Sequence, residues 1–243
     1  MKRLLLFLLA AGLAVALKIA WAPREKPAPL LVYCAAGLRA PVEDLARLFE
    51  SETRIPVQLQ FGGSQQLRSA IVVTGQGDVF IPADDSYLEG GAFEGPLAQM
   101  SVVVAVKKGN PLNVLAFSDL MRPDVRVGLP DPDSAATGRL AKNMLGAQWA
   151  PLLQKAIVTT PTVNEVANAL KLGSIDAGIV FDVVTAQYPD LQIIALPELS
   201  SSKARVSAGI SGMSEQPEQA TQFVRFLASE NGAAIFRKYG FAK

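Results

Sequence analysis

The chain has 243 residues, half of them apolar, with 23 basic and 22 acidic side chains. A sizeable core can be buried, and the near-zero charge excludes a broad basic surface for nucleic acid. There is one cysteine, Cys34, and no histidine, which excludes a disulfide framework, the usual zinc sites and every mechanism needing an imidazole base.

The chain opens with Lys2 and Arg3, an uncharged run from Leu4 to Leu17, and the small residues Ala20 and Ala22 around Trp21. A charged start, an apolar centre and small residues at the end match a secretory signal cleaved after Ala22. Lys18 leaves the run short of the roughly 20 residues a membrane span requires. Leu31, Val32 and Tyr33 ahead of Cys34 do not form a lipobox. In an apolar stretch, Cys34 reads as a buried small hydrophobe.

After the linker "APREKPAP", "LLVYCAAG" reads as a strand and "PVEDLARLFE" as a helix. Pro41 suits a first helical turn, where its missing N–H would have had no partner, and Glu43 and Asp44 favour the positive end of the dipole. "PVQLQF" is a second strand, "SQQLRSAIVV" a second helix, "GDVFIPA" a third strand and "MSVVVAVKK" a fourth. "VRVGLPDPDSAATGRLAKNML" reads as strand, loop and helix; "KAIVTT", "DAGIVF" and "LQIIALP" as strands; and "PTVNEVANALKLG" as a helix. Two helical patterns close the chain, the second capped by Gly240. Alternating strands and helices indicate an α/β fold with a parallel sheet covered on both faces.

Four loop-to-helix junctions share small or hydroxyl residues: "CAAGLRAP", "FGGSQQL", "DPDSAATGRL" and "PTVNEV". The first N–H groups of a helix have no intrahelical partner and carry partial positive charge, so such ends accept anions. In doubly wound sheets they lie beyond the carboxyl edges of the strands, where ligands bind. In "PTVNEV", Thr162 and Glu165 fit a capping box, leaving the Val163 N–H free to donate. Taken singly, each junction reads more simply as an ordinary helix start, and it is the four together that favour a ligand. Asp84 and Asp85 read as the solvated start of a further helix.

The order and wording of "YCAAGL", "FGGSQQL" with "GDVFIPADD", "DPDSAATGRLAKNML", "VNEVANALKLGSIDAGIVF" and "FVRFLASENGAAIFRKYGF" resemble the periplasmic molybdate-binding proteins of ABC importers over nearly all of the mature chain. The resemblance implies a two-lobed type II periplasmic-binding-protein-like α/β fold, each lobe a mostly parallel sheet flanked by helices. After a signal peptide at 1–22 and a linker at 23–29, residues 30–104 plus 197–243 would form lobe 1 and residues 105–196 lobe 2.

The family encloses a tetrahedral oxyanion with neutral donors, and the matching positions here are Gly37, Ser64, Thr137, Val163 and Phe181. Only Ser64 keeps a family side-chain hydroxyl. A serine and a tyrosine of the family pattern stand here as Gly37 and Phe181. Hydrogen bonds to a charged partner contribute roughly 1.5 to 3 kcal/mol each, so two losses would cost roughly 3 to 6 kcal/mol. The Gly37 N–H and the Thr137 hydroxyl offer compensation.

The resemblance implies an exported, non-enzymatic protein, expected as a monomer without cofactor or bound metal. It would carry molybdate or tungstate to an ABC permease and its ATPase. Sulfate as the ligand and a membrane-tethered oxyanion sensor are the alternatives. A ferric-ion binder would need clustered ligands, whereas Tyr33, Tyr87, Tyr188 and Tyr239 are scattered. A hydrolase using Ser64 would lack a histidine base, and the sequence places no lysine beside it for a Ser–Lys pair.

Overall fold

The computed structural model describes residues 28–88, 93–201 and 203–242. The expected signal peptide, residues 1–22, and residues 23–27 of the expected linker lie outside the described residues. β1 (Leu30–Ala35) passes through a single 3-10 turn (Ala36–Leu38) into α1 (Arg39–Thr53). Pro41 sits in the first turn of α1 as expected, and Val42, Leu45, Ala46 and Phe49 bury one face. That spacing of three and four residues makes the inward stripe of an amphipathic helix. β2 (Val57–Gly62), α2 (Ser64–Thr74) and β3 (Val79–Ile81) follow.

β4 (Phe93–Lys107) leads to α3 (Phe117–Leu120), β5 (Val127–Pro130), α4 (Ala136–Leu145) and α5 (Trp149–Lys155). Then come β6 (Val158–Thr160), α6 (Val163–Leu172), β7 (Ala177–Phe181), α7 (Val184–Gln187) and β8 (Leu191–Ile194). β9 (Lys203–Ile210), α8 (Pro217–Ala228) and α9 (Glu230–Lys238) complete the chain. Gly240, with φ of 84°, donates its N–H to the Arg237 carbonyl at 2.9 Å, which is the expected glycine closure of the last helix.

The strands run in the order β2-β1-β3-β9-β4-β7-β5-β6, with β8 on β4. Each half has a parallel core: β1 between β2 and β3, and β5 between β6 and β7. The antiparallel strands β4, β8 and β9 are added to these cores. β4 joins the halves by changing partner. Ala98 to Ser101 pair with β9, and Val102 to Val106 pair with β7.

Asp182, directly after β7, fixes that switch. Its Oδ1 accepts from the N–H of Ser101 at 3.0 Å and of Val183 at 2.9 Å, and its own N–H donates to the Ser101 carbonyl at 2.9 Å. The end of β7, and Phe181 with it, is therefore held at a defined point on β4.

The C-terminal helices return to the first half. Phe49 of α1 meets Phe223 of α8 edge-on at 5.0 Å, and burying each ring contributes about 1.5–3 kcal/mol. Cys34 is fully buried and unpaired, and burial pushes its thiol pKa well above the usual range. It is inert core, in line with the sequence reading.

Candidate functional site

All four small-residue junctions come together. Ala35–Gly37, Gly62–Ser64, Ala135–Thr137 and Thr162–Val163 line one cavity of about 20 Å³, joined by Ala83 after β3 and Phe181 at the end of β7. The five residues singled out from the sequence, Gly37, Ser64, Thr137, Val163 and Phe181, are all in that lining. A larger hollow of about 270 Å³, bordered by Ile71, Phe80 and Met213, includes none of the five.

No lining side chain of the small cavity is ionisable. Its polar character comes from hydroxyls and helix starts. Ser64 is the first residue of α2, Thr137 the second of α4 and Val163 the first of α6. Their N–H groups belong to the set with no intrahelical acceptor. The cavity collects the positive ends of three helix dipoles without a formal charge.

Ser64 is 1% exposed. Its Oγ accepts from the Ala83 N–H at 3.1 Å, which uses one lone pair and leaves the hydroxyl proton to donate elsewhere. Gly63 N–H donates to Gln66 Oε1 at 3.3 Å, turning the chain into α2. In α6, Thr162 Oγ1 accepts from the Glu165 N–H at 3.4 Å. This is one arm of the expected capping box; the reciprocal bond from Thr162 N–H to the Glu165 carboxylate is not formed among the described residues.

The side of the cavity near Gly37 is carbon. A Cβ on Gly37 would stand 3.2 Å from Val163 Cγ1 and 4.0 Å from Phe181 Cδ2. Val163 thus fills the space a larger residue at 37 would need, and the Phe181 ring, 1% exposed, closes the wall.

The two halves of the sheet touch around the cavity. The Gln65 N–H donates to the Ser134 carbonyl at 3.2 Å, and Gln187 Nε2 donates to the Gly37 carbonyl at 3.4 Å. Gly63 is wedged where a Cβ would meet Ser134 O at 2.4 Å and Pro161 O at 2.7 Å. Only glycine allows the backbone that close.

Asp84 corrects the sequence reading. It is not solvated: 7% exposed, it caps a single 3-10 turn (Asp85–Tyr87) by accepting from the Ser86 N–H at 3.3 Å. It also pairs with Arg139 of α4 at 3.0 Å. That partner lies 55 residues away, beyond the reach of local pattern. Asp85 pairs with Arg205 at 2.9 Å. Ala83 was not singled out from the sequence; its place after the short β3 was the available signal.

The family model described as "Bacterial extracellular solute-binding protein" matches residues 30–242. The molybdate-binding protein ModA of Mycobacterium bovis is 26% identical over 234 residues, covering 91% of this chain and 87% of that protein. Among solved structures, the periplasmic molybdate-binding protein of Azotobacter vinelandii aligns with a TM-score of 0.71 at 21% identity, covering 88% of this chain and 99% of that one. A periplasmic thiamin-binding protein aligns with a TM-score of 0.74 at 17% identity, covering 89% and 83%. The structural likenesses establish the type II periplasmic-binding fold, and the ligand has to be argued from the cavity.

Proposed function

Because this chain belongs to the family of bacterial extracellular solute-binding proteins, we propose that its cavity captures a tetrahedral oxyanion, molybdate or tungstate first, for delivery to an ABC permease powered by a cytoplasmic ATPase. The observation that carries the reading is the convergence of the helix starts at Ser64, Thr137 and Val163 on one small uncharged cavity. Its volume of about 20 Å³ suits a compact ion, whereas pockets for organic ligands run to about 300–1,000 Å³.

In this reading Ser64 donates its hydroxyl and Thr137 its hydroxyl and backbone N–H. Gly37 and Val163 contribute N–H groups, and Phe181 supplies an apolar wall. Residues 30–104 plus 197–243 act as one lobe and residues 105–196 as the other. Closure is favoured because the bound ion gains donors from both lobes, while the open form offers one set.

A cavity built mainly of N–H donors favours fully deprotonated oxyanions, because it offers a protonated oxygen no carboxylate acceptor. Asp84 does not line the cavity and is engaged by Arg139, which disfavours partly protonated phosphate. The relatedness to molybdate-binding proteins supports reading molybdate and tungstate ahead of sulfate, which has the same shape and charge.

Calorimetric titration with molybdate, tungstate, sulfate and phosphate tests the reading. Heat with the first two and none with phosphate is expected. No heat with any of the four overturns it.

A further inference from the structure

We propose that Arg139 is a positioning residue that holds the closed arrangement together through Asp84, so that this pair sets how long the anion stays bound. The inference rests on the oxyanion reading above. Arg139 lies two residues beyond Thr137 on α4, and Asp84 follows Ala83, whose N–H holds Ser64 Oγ. The pair therefore links the two sides of the cavity one step behind the donors themselves.

Arg139 Nη2 reaches Asp84 Oδ1 at 3.0 Å and also bonds Ser86 Oγ. The guanidinium carbon lies 4.0 Å from the centroid of the Tyr87 ring. The Asp84 side chain is 9% exposed, so parting the halves would leave a shielded carboxylate without its cation. The ion pairs Arg126–Asp176, Arg205–Asp85 and Lys238–Asp44 each join residues of one half. Arg139–Asp84 forms only when the halves meet, and its energy counts toward the closed state alone. One guanidinium donor, Nε–H, is buried without an acceptor among the described residues, so part of the gain is offset.

An anion first meets the open form, before the pair exists. Loss of the pair should consequently appear in release and not in capture. Stopped-flow kinetics with molybdate on Arg139→Gln and Asp84→Asn should show release faster by about tenfold, the signature of truncating a shielded charge pair. Capture should change by no more than about twofold, and the double variant should be no worse than the worse single one. Arg139→Lys, which keeps charge but not the planar fork, should recover part of the loss.

Unchanged release in both single variants, or losses that simply add, would overturn the inference. Small-angle scattering of the ligand-free protein is a readout independent of ligand identity. Where the ligand-free parent scatters as the closed form, Arg139→Gln should give a larger radius of gyration, and equal radii would count against the clasp. Absence of molybdate binding by the parent protein would instead sink the oxyanion reading, and the scattering comparison would still decide the clasp.

Discussion

The Ala83 N–H donates to Ser64 Oγ at 3.1 Å in a buried setting, and this one bond orients the Ser64 hydroxyl within the cavity lining. With its oxygen held as acceptor, the hydroxyl has a single proton to give.

Ser64→Ala should weaken oxyanion affinity by about 1.5–3 kcal/mol, the worth of a hydrogen bond to a charged partner, or about 10- to 150-fold. It also strands the Ala83 N–H at a cost of about 1–3 kcal/mol in stability. Titration and chemical denaturation separate the two effects. Unchanged affinity in a destabilised variant would make Ser64 a scaffold residue only.

Gly63→Ala separates folding from closure. The backbone at Gly63, φ −68° and ψ 144°, is ordinary for alanine, so the first half should fold at least as well, with a gain of up to about 1 kcal/mol from reduced chain entropy. The new methyl would lie 2.4 Å from Ser134 O and 2.7 Å from Pro161 O, both backbone atoms of the opposite half. Affinity should fall by at least about tenfold, corresponding to about 1.4 kcal/mol, with a melting temperature no lower than the parent's. A variant that binds like the parent would show that the halves need not approach this closely.

These positions were legible in the sequence because each is local. A strand followed by small residues and a helix pattern marks a helix start, and all four such junctions reached the cavity. What escaped is non-local or weakly patterned. β9 alternates exposed Lys203 and Arg205 with buried Ala204 and Val206, but alanine, serine and glycine have low strand preference and blur the period. The start of β4 was hidden by Gly95 and Pro96, where its pairing with β9 is irregular. Pro151 likewise masked α5. Asp84 looked solvated because the cation that buries it comes from another part of the chain.

Acid should loosen the C-terminal helix before it affects the cavity. The Tyr239 hydroxyl at 2.7 Å, Lys238 Nζ at 2.9 Å and then Arg47 hold the Asp44 carboxyl below the usual carboxylate range. A folded-state value below the unfolded one gives stability that is complete above about pH 3.9. That stability is lost as pH falls through the folded value. Denaturation of Asp44→Asn should show lower stability than the parent at neutral pH and a difference that shrinks in acid. Anion affinity should stay flat between about pH 6 and 8, since no lining side chain is ionisable and the chain lacks the histidine that ordinarily titrates there. A slope in that range would indicate a protonated ligand or an unrecognised charged group.

Phe181→Tyr should strengthen molybdate binding. Phe181 is fixed at the end of β7 by the Asp182–Ser101 bonds and its ring lines the cavity, so a phenol there adds a donor without ordering a new side chain. A gain of about 1.5–3 kcal/mol is expected if the hydroxyl meets the anion. Gly37→Ser is a poorer route to the same end, because its Cβ would crowd Val163 Cγ1 at 3.2 Å and force the first residue of α6 to shift. Calorimetry of the two variants should therefore rank Phe181→Tyr above the parent and Gly37→Ser below it. If Phe181→Tyr instead loses stability and gains no affinity, its hydroxyl is buried unpaired, and the ring faces the packing side of the wall and not the anion.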